Sequence, residues 1–157
     1  MSAHPDLDTS AIGKLCQRNV ICIVPTESIV AAAERMRAAH VGSLVVIDSD
    51  TTRKAIGMLT DRDIVVSVVA RNADPNALTV GDVMSRHPLM VTENSSLDAA
   101  LTFMQDAGVR RLIVTGASGE VVGMLAVDDI LQKIGMQIGL VCGSLRNEIR
   151  TERLVRP

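Results

Sequence analysis

The sequence predicts a mixed α/β (α+β) fold of two pseudo-symmetric units followed by an extended C-terminal helix. Three observations predict this fold. The chain contains an internal repeat, each copy holds an amphipathic helix preceded by a serine, and each copy ends in two apolar runs separated by a polar turn. Together they predict a strand–helix–strand–strand–helix unit that occurs twice.

The repeat is visible without gaps over most of its length. Shifted by 68 residues, 11–46 align with 79–114, and shifted by 66 residues, IGMLTDRDI (56–64) aligns with VGMLAVDDI (122–130). Ten residues of the first stretch recur unchanged in the second: Gly13, Arg18, Ser28, Ala31, Ala32, Met36, Ala39, Val41, Leu44 and Val46. A shared register, a recurring G-M-L and one change in turn length indicate duplication rather than coincidence.

The elements follow in the same order in each copy. Ser28 and Ser96 precede apolar residues at the i, i+3, i+4, i+7 spacing of an N-capped helix with one buried face. Paired strands are predicted at 43–47 and 55–59, with counterparts at 111–115 and 121–125, and a last helix begins at Asp61 or Asp128. The predicted domains are 11–70, 79–135 and a helical extension over 136–157, with a polar linker at 71–79.

The predicted last helix continues well past the second copy. Its apolar stripe consists of Ile130, Ile134, Ile138, Val141, Leu145 and Ile149. Gly135, Gly139 and Gly143 recur every four residues beside it, although each interior glycine costs about 1 kcal/mol relative to alanine. Two interpretations stay open: close approach of another backbone, or a frayed or broken helix.

Composition excludes several classes of protein. Apolar residues form 47% of the 157 residues, which excludes a disordered chain. A single Phe, no Trp or Tyr and a net charge of −2 argue against nucleic-acid and anionic-membrane partners. No apolar stretch reaches the roughly 20 residues of a membrane span.

The first ten residues lack the features of a signal peptide, and the three cysteines fit reduced thiols, so we expect a cytoplasmic protein. No histidine spacing predicts a metal site.

The duplicated motifs resemble a known family. G-h-h-T-x-x-D at Gly57–Asp63 and a degenerate G-h-h-A-x-x-D at Gly123–Asp129 are similar to those of a tandem pair of cystathionine β-synthase (CBS) domains, a Bateman module. GMLTDRDI followed by VGDVMS (80–85) resembles small stand-alone bacterial pairs. The resemblance implies two β-α-β-β-α units with their sheets packed together, a disc-like homodimer, and adenosine-containing ligands bound in clefts between the copies.

The first candidate cleft contains Thr60, Asp63, Arg110 and Arg111. On spacing alone Thr60 and Asp63 indicate a helix capping box, and the arginines an ordinary solvated pair. A carboxylate also suits the two hydroxyls of a ribose, and a guanidinium binds phosphate in bidentate fashion. The resemblance favours ligand binding, because family residues matching Thr60 and Asp63 contact ribose and phosphate, and basic residues at the arginine positions reach the phosphates.

The second candidate cleft is predicted to be weaker. Asp129 is present, but Ala126 replaces the hydroxyl residue, and Gly42 and Ser43 stand where the first cleft has two arginines. We therefore expect one nucleotide per chain, bound mainly at Asp63. Because aromatic residues are scarce, the adenine ring would lie among aliphatic side chains, for which the candidates are Met58, Val24 and Val41; these fit the hydrophobic core equally well.

The predicted function is that of a non-catalytic regulatory module. It would bind an adenine nucleotide, AMP or ATP, without an obligatory cofactor, and signal occupancy to an unknown target protein. No nucleophile elbow, Walker loop or metalloprotease motif indicates an enzyme. The alternative is a protein-interaction or scaffold module whose ligand clefts are vestigial.

Overall fold

The computed structural model of the protein describes the backbone of residues 11–155 and the side chains of residues 11–145. The strands are β1 (Cys22–Ile23), β2 (Ser43–Ile47), β3 (Ala55–Thr60), β4 (Ser85–Arg86), β5 (Met90–Thr92), β6 (Arg111–Thr115) and β7 (Val121–Ala126). The helices are α1 (Ile29–Ala39), α2 (Asp61–Ile64), α3 (Val80–Val83), α4 (Leu97–Ala107) and α5 (Val127–Val155), with a 3₁₀ turn at Ile12–Lys14 and a π-helical turn at Val65–Val69. The predicted α/β fold of two similar units is confirmed.

The local signals of the sequence act as predicted in both copies. The Ser28 hydroxyl accepts a hydrogen bond from the Ala31 amide at 3.1 Å, and the Ser96 hydroxyl accepts one from the Ala99 amide at 3.2 Å. These caps satisfy amide groups that a helix N-terminus leaves unpaired. α1 and α4 each span 11 residues and end at a left-handed residue, His40 in one copy and Gly108 in the other.

The two sheets repeat the same pattern. In each, a short strand pairs in parallel with a five-residue strand, which pairs antiparallel with a six-residue strand. Both antiparallel pairs shift register at the same place, between Val46 and Ile47 and between Val114 and Thr115. The duplicated sequence therefore gives duplicated geometry, down to the irregularity in the strands.

The leading segments of the two copies, defined as 12–18 and 80–86, exchange places. β4 follows α3 in the second copy but pairs with β3 in the sheet of the first, giving the order β1-β2-β3-β4. Conversely, Gln17 pairs with Met124 of β7, beside the β5-β6-β7 sheet. Ile12 is buried in the core of the second unit and Val80 in that of the first. This exchange ties the units together.

A pseudo-twofold axis relates the copies and runs between the two sheets. Lys54 forms a bridge with Glu120, its own counterpart in the repeat. The hydrophobic cluster between the sheets contains further pairs of counterparts: Val45 with Ile113, Ala55 with Val121, and Met58 with Met124. Residues close to their own counterparts lie beside the axis, which therefore passes between the β2–β3 pair and the β6–β7 pair.

α5 begins at Val127 and continues as one helix of 29 residues. A broken helix, one of the two interpretations of its glycines, is therefore wrong. No neighbouring atom lies within 4 Å of a Cβ built on Gly135, Gly139 or Gly143, so within the described residues nothing approaches that face. Large apolar side chains are exposed along the helix: Leu131, Ile134, Met136, Ile138, Leu140, Val141 and Leu145. The Ile149 side chain and the first ten residues lie outside the described residues.

Among the described residues, no helix has the length and apolar character required to cross a membrane.

Candidate functional site

A cavity of about 320 Å³ lies between the two copies at the N-terminus of α5. Its lining residues come from both units: Gln17, Asn19, Val20, Ile21, His40, Val41, Gly42 and Ser43 from the first, and Arg111, Met124, Ala126, Asp128 and Asp129 from the second. The volume falls within the range of small-molecule pockets, and the lining combines aliphatic side chains with polar and charged ones. The cavity is the Asp129 cleft of the sequence analysis.

The carboxylate of Asp129 is held by the other copy. Gln17 Nε2 donates a hydrogen bond to Asp129 Oδ1 at 2.8 Å, across 112 residues of sequence. Asp129 Oδ2 has no hydrogen-bond partner among the described residues. An ionised carboxylate accepts only, so this oxygen is suited to a hydroxyl donor such as a ribose diol.

The neighbouring Asp128 is neutralised within the protein. Arg110 Nη2 contacts Asp128 Oδ1 and Oδ2 at 2.9 and 3.1 Å. Both side chains are largely exposed, at 73% and 59%, so the pair adds little to stability. The pair does determine which guanidinium is available to a ligand. Arg110 is paired with a carboxylate, whereas Arg111 contacts no carboxylate in the described part of the chain.

Arg111 lines a cleft to which the sequence analysis did not assign it. The first residue of β6, it pairs with Ala126 at the end of β7, and its exposed side chain lines the Asp129 cavity. Gly42 and Ser43 line this cleft as expected, but Arg111 lines it as well, so the cleft has an arginine. The reason is that the first residues of both β2 and β6 line the cleft. Arg111 of the second copy therefore lies in the same cavity as Ser43 of the first.

Thr60 and Asp63 form a capping box at the start of α2. Asp63 Oδ2 accepts hydrogen bonds from the Thr60 amide at 2.8 Å and from the Thr60 hydroxyl at 2.6 Å, while Thr60 Oγ1 accepts from the Asp63 amide at 3.1 Å. The capping interpretation is thus confirmed as local structure. Asp63 Oδ1 has no hydrogen-bond partner among the described residues, so the cap leaves one oxygen available, as at Asp129.

The aliphatic candidates separate into two groups. Val41 lines the Asp129 cavity, together with Val20, Ile21 and Met124. Met58 and Val24 pack against the cluster between the sheets. The structure therefore places Val41 with Asp129 rather than with Thr60 and Asp63. The aliphatic wall of this cavity contains no aromatic ring.

Sequence reasoning missed the leading segment of the first copy, and Gln17 above all. The signal was present in the repeat, because Gly13 and Arg18 recur as Gly81 and Arg86. The Arg18 guanidinium donates to the Gly13 carbonyl at 2.7 Å, and Arg86 donates to the Gly81 carbonyl at 3.2 Å. These matching hydrogen bonds hold the two leading segments in equivalent conformations, which explains why the glycine and the arginine recur.

Cysteine and metal chemistry find little support in the described residues. Burial raises the pKa of the Cys16 and Cys22 thiols, which keeps them protonated and unreactive near neutral pH. No group of three or more histidine, cysteine or acidic side chains within the described part of the chain is arranged to hold a metal ion.

The fold and cavity define a class of protein: a duplicated α/β module with ligand-sized clefts between its copies. The CBS domain model matches residues 12–70 and 80–135, and the chain belongs to the CBS-domain family. CBS pairs of this kind are generally regulatory modules.

Relatives are similar over most of the chain. Hypoxic response protein 1 of Mycobacterium tuberculosis is 34% identical over 115 residues, which are 73% of this chain and 78% of that protein. An uncharacterised protein of Methanopyrus kandleri is 34% identical over 122 residues, 78% of this chain; that stretch spans 61% of the relative's own length.

Solved structures agree with the fold. Hypoxic Response Protein I with two coordinated zinc ions has a TM-score of 0.68 and 32% identity, and the match covers 78% of this chain and 97% of that chain. CBSX2, a CBS-pair protein of Arabidopsis thaliana, in complex with AMP has a TM-score of 0.68 and 25% identity, covering 82% of this chain and 98% of that chain.

Proposed function

We propose that this chain is a non-catalytic regulatory module that binds an adenosine-containing ligand between its two CBS units. Occupancy would then be signalled to a partner protein in the cytoplasm. The observation that carries the proposal is the cavity of about 320 Å³, built from both copies, in which Asp129, Gln17 and Arg111 stand beside an aliphatic wall. The AMP complex of CBSX2 supports the choice of ligand class.

The chemistry of the cleft suits each part of a nucleotide. The available carboxylate oxygens of Asp129 and Asp63 accept from ribose hydroxyls. Arg111 offers a planar fork to a phosphate. The apolar side chains of Val20, Ile21 and Val41 offer a wall to the adenine ring. We therefore propose both clefts as nucleoside sites, because the presence of Arg111 removes the argument against the Asp129 cleft.

Calorimetric titration with adenosine, AMP and ATP tests the ligand class directly. Asp129→Ala and Asp63→Ala are each expected to remove one binding event, since each deletes the acceptor for one ribose. Asp82→Ala is the matched control: Thr79 and Asp82 form the same capping box as Thr60 and Asp63 but begin α3 instead. Absence of heat with every nucleotide, or loss of binding in the Asp82 control alone, would contradict the proposal.

A homodimer is the assembly that we infer. Exposed apolar side chains lie on α5 and on the π-helical turn, where Val65, Val66 and Val69 are 55%, 49% and 67% exposed. A second copy of the chain can cover these surfaces, and apolar burial drives such association. Light scattering at micromolar concentration should give twice the chain mass, and Val69→Asp should shift it towards the monomer. A monomeric parent protein would contradict this inference.

The alternative function is a scaffold module whose clefts are vestigial. The observation that favours it is the exposed apolar length of α5, which is a surface for protein contact whether or not a ligand binds. Nucleotide titration separates the two functions, because a scaffold needs no ligand.

A further inference from the structure

We propose that Arg111 selects for phosphate in both clefts, so that an anionic nucleotide in one cleft hinders the binding of a second in the other. The inference rests on the proposed function and adds to it a coupling between the two sites. It follows from the position of one side chain relative to the pseudo-twofold axis.

Ser43 and Arg111 are counterparts that line the same cavity. They are related by the 68-residue shift of the repeat, being the first residues of β2 and β6. Both line the Asp129 cavity. Other counterparts also lie together between the sheets, since Lys54 forms a bridge with Glu120, and Val45 and Ile113 belong to one hydrophobic cluster. Ser43 and Arg111 therefore stand beside the axis, at the end of the strands where the clefts open.

Rotation about the pseudo-twofold axis superimposes one cleft on the other. It places Asp129 on Asp63, and it exchanges Ser43 with Arg111. A pair that lines one cleft therefore lines the other as well. The strand register agrees on the Asp63 side, because Ser43 pairs directly with Thr60, just as Arg111 pairs with Ala126. Arg111 is thus common to both clefts.

The two neighbouring arginines differ in whether a carboxylate engages them. Arg110 is engaged by Asp128, whereas the Arg111 side chain makes no hydrogen bond or ion pair with any described residue. The Asp129 cavity has two carboxylates, Asp128 and Asp129, and within the described residues Arg111 is its one arginine or lysine. Arg62 is the counterpart of Asp128 and so lies on the Asp63 side alone.

Competition for Arg111 follows. A guanidinium carries a single positive charge, and a bidentate pair with one phosphate neutralises that charge and uses two of the five N–H donors. A phosphate in the Asp63 cleft therefore leaves the Asp129 cleft with its carboxylates and without its cation. Because coupling between two binding sites is reciprocal, occupation of the Asp129 cleft weakens phosphate binding at Asp63 by the same factor. Adenosine carries no phosphate and is not subject to this competition.

Single-cleft variants provide the test. Asp129→Ala leaves the Asp63 cleft, and Asp63→Ala leaves the Asp129 cleft; the affinities of each for AMP and adenosine are measured by calorimetry. Arg111→Ser is then added to both. Serine is the residue that the first copy holds at this position, and the site is exposed, so the substitution is compatible with the fold. We expect the preference for AMP over adenosine to fall about tenfold or more in both variants, the usual size of a lost charge-assisted contact.

The parent protein supplies the second measurement. AMP should bind once tightly and a second time about tenfold or more weakly, whereas adenosine binding at one cleft should leave the other unaffected. Arg37→Ser is the matched control, because this exposed arginine of α1 does not line the Asp129 cavity. A loss of AMP preference in only one single-cleft variant, or two AMP molecules bound without coupling, would overturn the inference. Failure of both adenosine and AMP to bind would instead overturn the proposed function.

Discussion

Asp63 and Asp129 occupy equivalent positions in the two copies, yet different parts of the molecule hold them. Asp63 is fixed by Thr60, three residues away in its own unit, through the hydrogen bonds of a helix cap. Asp129 lacks a threonine, because Ala126 stands there, and is fixed by Gln17 from the leading segment of the other unit. One carboxylate is therefore oriented by local structure and the other by a contact between the copies.

The hydrophobic cores differ much less than the clefts do. Each unit buries the same pattern of residues from its helix and central strand, such as Ala32, Met36 and Leu44 in one and Ala100, Met104 and Leu112 in the other. Packing constrains both cores equally, while the clefts are free to acquire different polar residues. The clefts are therefore among the places where the two copies have diverged.

The largest expected effect tests the equivalence of the cores. Leu44 and Leu112 are counterparts, and both are 0% exposed. Leu44→Ala and Leu112→Ala should each lower the free energy of unfolding by about 2–5 kcal/mol, because each leaves a cavity in a separate cluster. Chemical denaturation measures both. A cost confined to one of the two variants would show that the units are not equivalent.

A smaller effect is expected at the glycines of the repeated G-M-L. A Cβ on Gly123 would lie 2.5 Å from Cys16 Sγ and 3.1 Å from the Gln17 carbonyl oxygen, and one on Gly57 would lie 2.9 Å from the Ser85 carbonyl oxygen. Either alanine must displace a leading segment, at a cost of about 1–3 kcal/mol.

The two glycines should nevertheless differ in binding. Gly123→Ala moves Gln17 and should weaken adenosine binding in the Asp129 cleft, whereas Gly57→Ala should affect the Asp63 cleft. Titrating each variant in the matching single-cleft background distinguishes them. Equal losses in both clefts from either glycine would contradict the assignment of one leading segment to each cleft.

The next effect, on stability and on binding, compares substitutions of Thr60 and Gln17. Thr60→Ala removes a helix cap and should lower stability by about 0.5–2 kcal/mol. Gln17→Ala removes an exposed contact and should change stability by less than about 0.5 kcal/mol, while weakening adenosine at Asp129. Thermal denaturation and calorimetry together separate the two roles. A Gln17 variant with a large loss of stability and unchanged binding would reverse this interpretation.

The smallest expected effect is a pH dependence of the stability that arises from a turn in the first copy. The Thr52 hydroxyl, with the amides of Lys54 and Ser49, lowers the pKa of Asp48 in the turn between β2 and β3. A lowered folded pKa contributes stability above the unfolded value, near 3.9, and this stability is lost as the pH falls through the folded value. Gly116 occupies the equivalent position in the second copy.

Denaturation at pH 5 and pH 3 measures the effect. The parent protein should lose slightly more stability on acidification than Asp48→Asn, because the variant has no carboxylate to protonate. An identical loss in both proteins would show that the turn makes no contribution.

Much of the fold could be predicted because the determinants are local and occur twice. Serine caps, helical periodicity and the paired apolar runs act over a few residues, so the elements at α1, β2, β3 and their counterparts were predicted closely. The exchange of the leading segments was not predicted. Residues 12–17 appear in the sequence as the start of the first unit, and only packing between the units places Ile12 in the core of the second.

The same limit applies to the site. The carboxylates, the arginines and the repeated motif were identified from residue type, whereas Gln17 is an ordinary exposed glutamine whose role depends on a contact across 112 residues. The cleft to which Arg111 belongs could not be decided from the alignment of the copies. Alignment shows that Arg111 replaces Ser43, but it does not show that both residues stand beside the axis.

The length of α5 has a mechanical consequence. At 1.5 Å per residue, its 29 residues form a rod of about 43 Å, and its first turn, with Asp128 and Asp129, is part of the wall of the cavity. Such a rod acts as a lever with a short arm at the pocket and a long arm outside it. A tilt of about 5° at the pocket would displace the far end by nearly 4 Å, about the width of a methyl group. A change too small to disturb the packing beside the ligand would thus be amplified into a movement that another protein could detect.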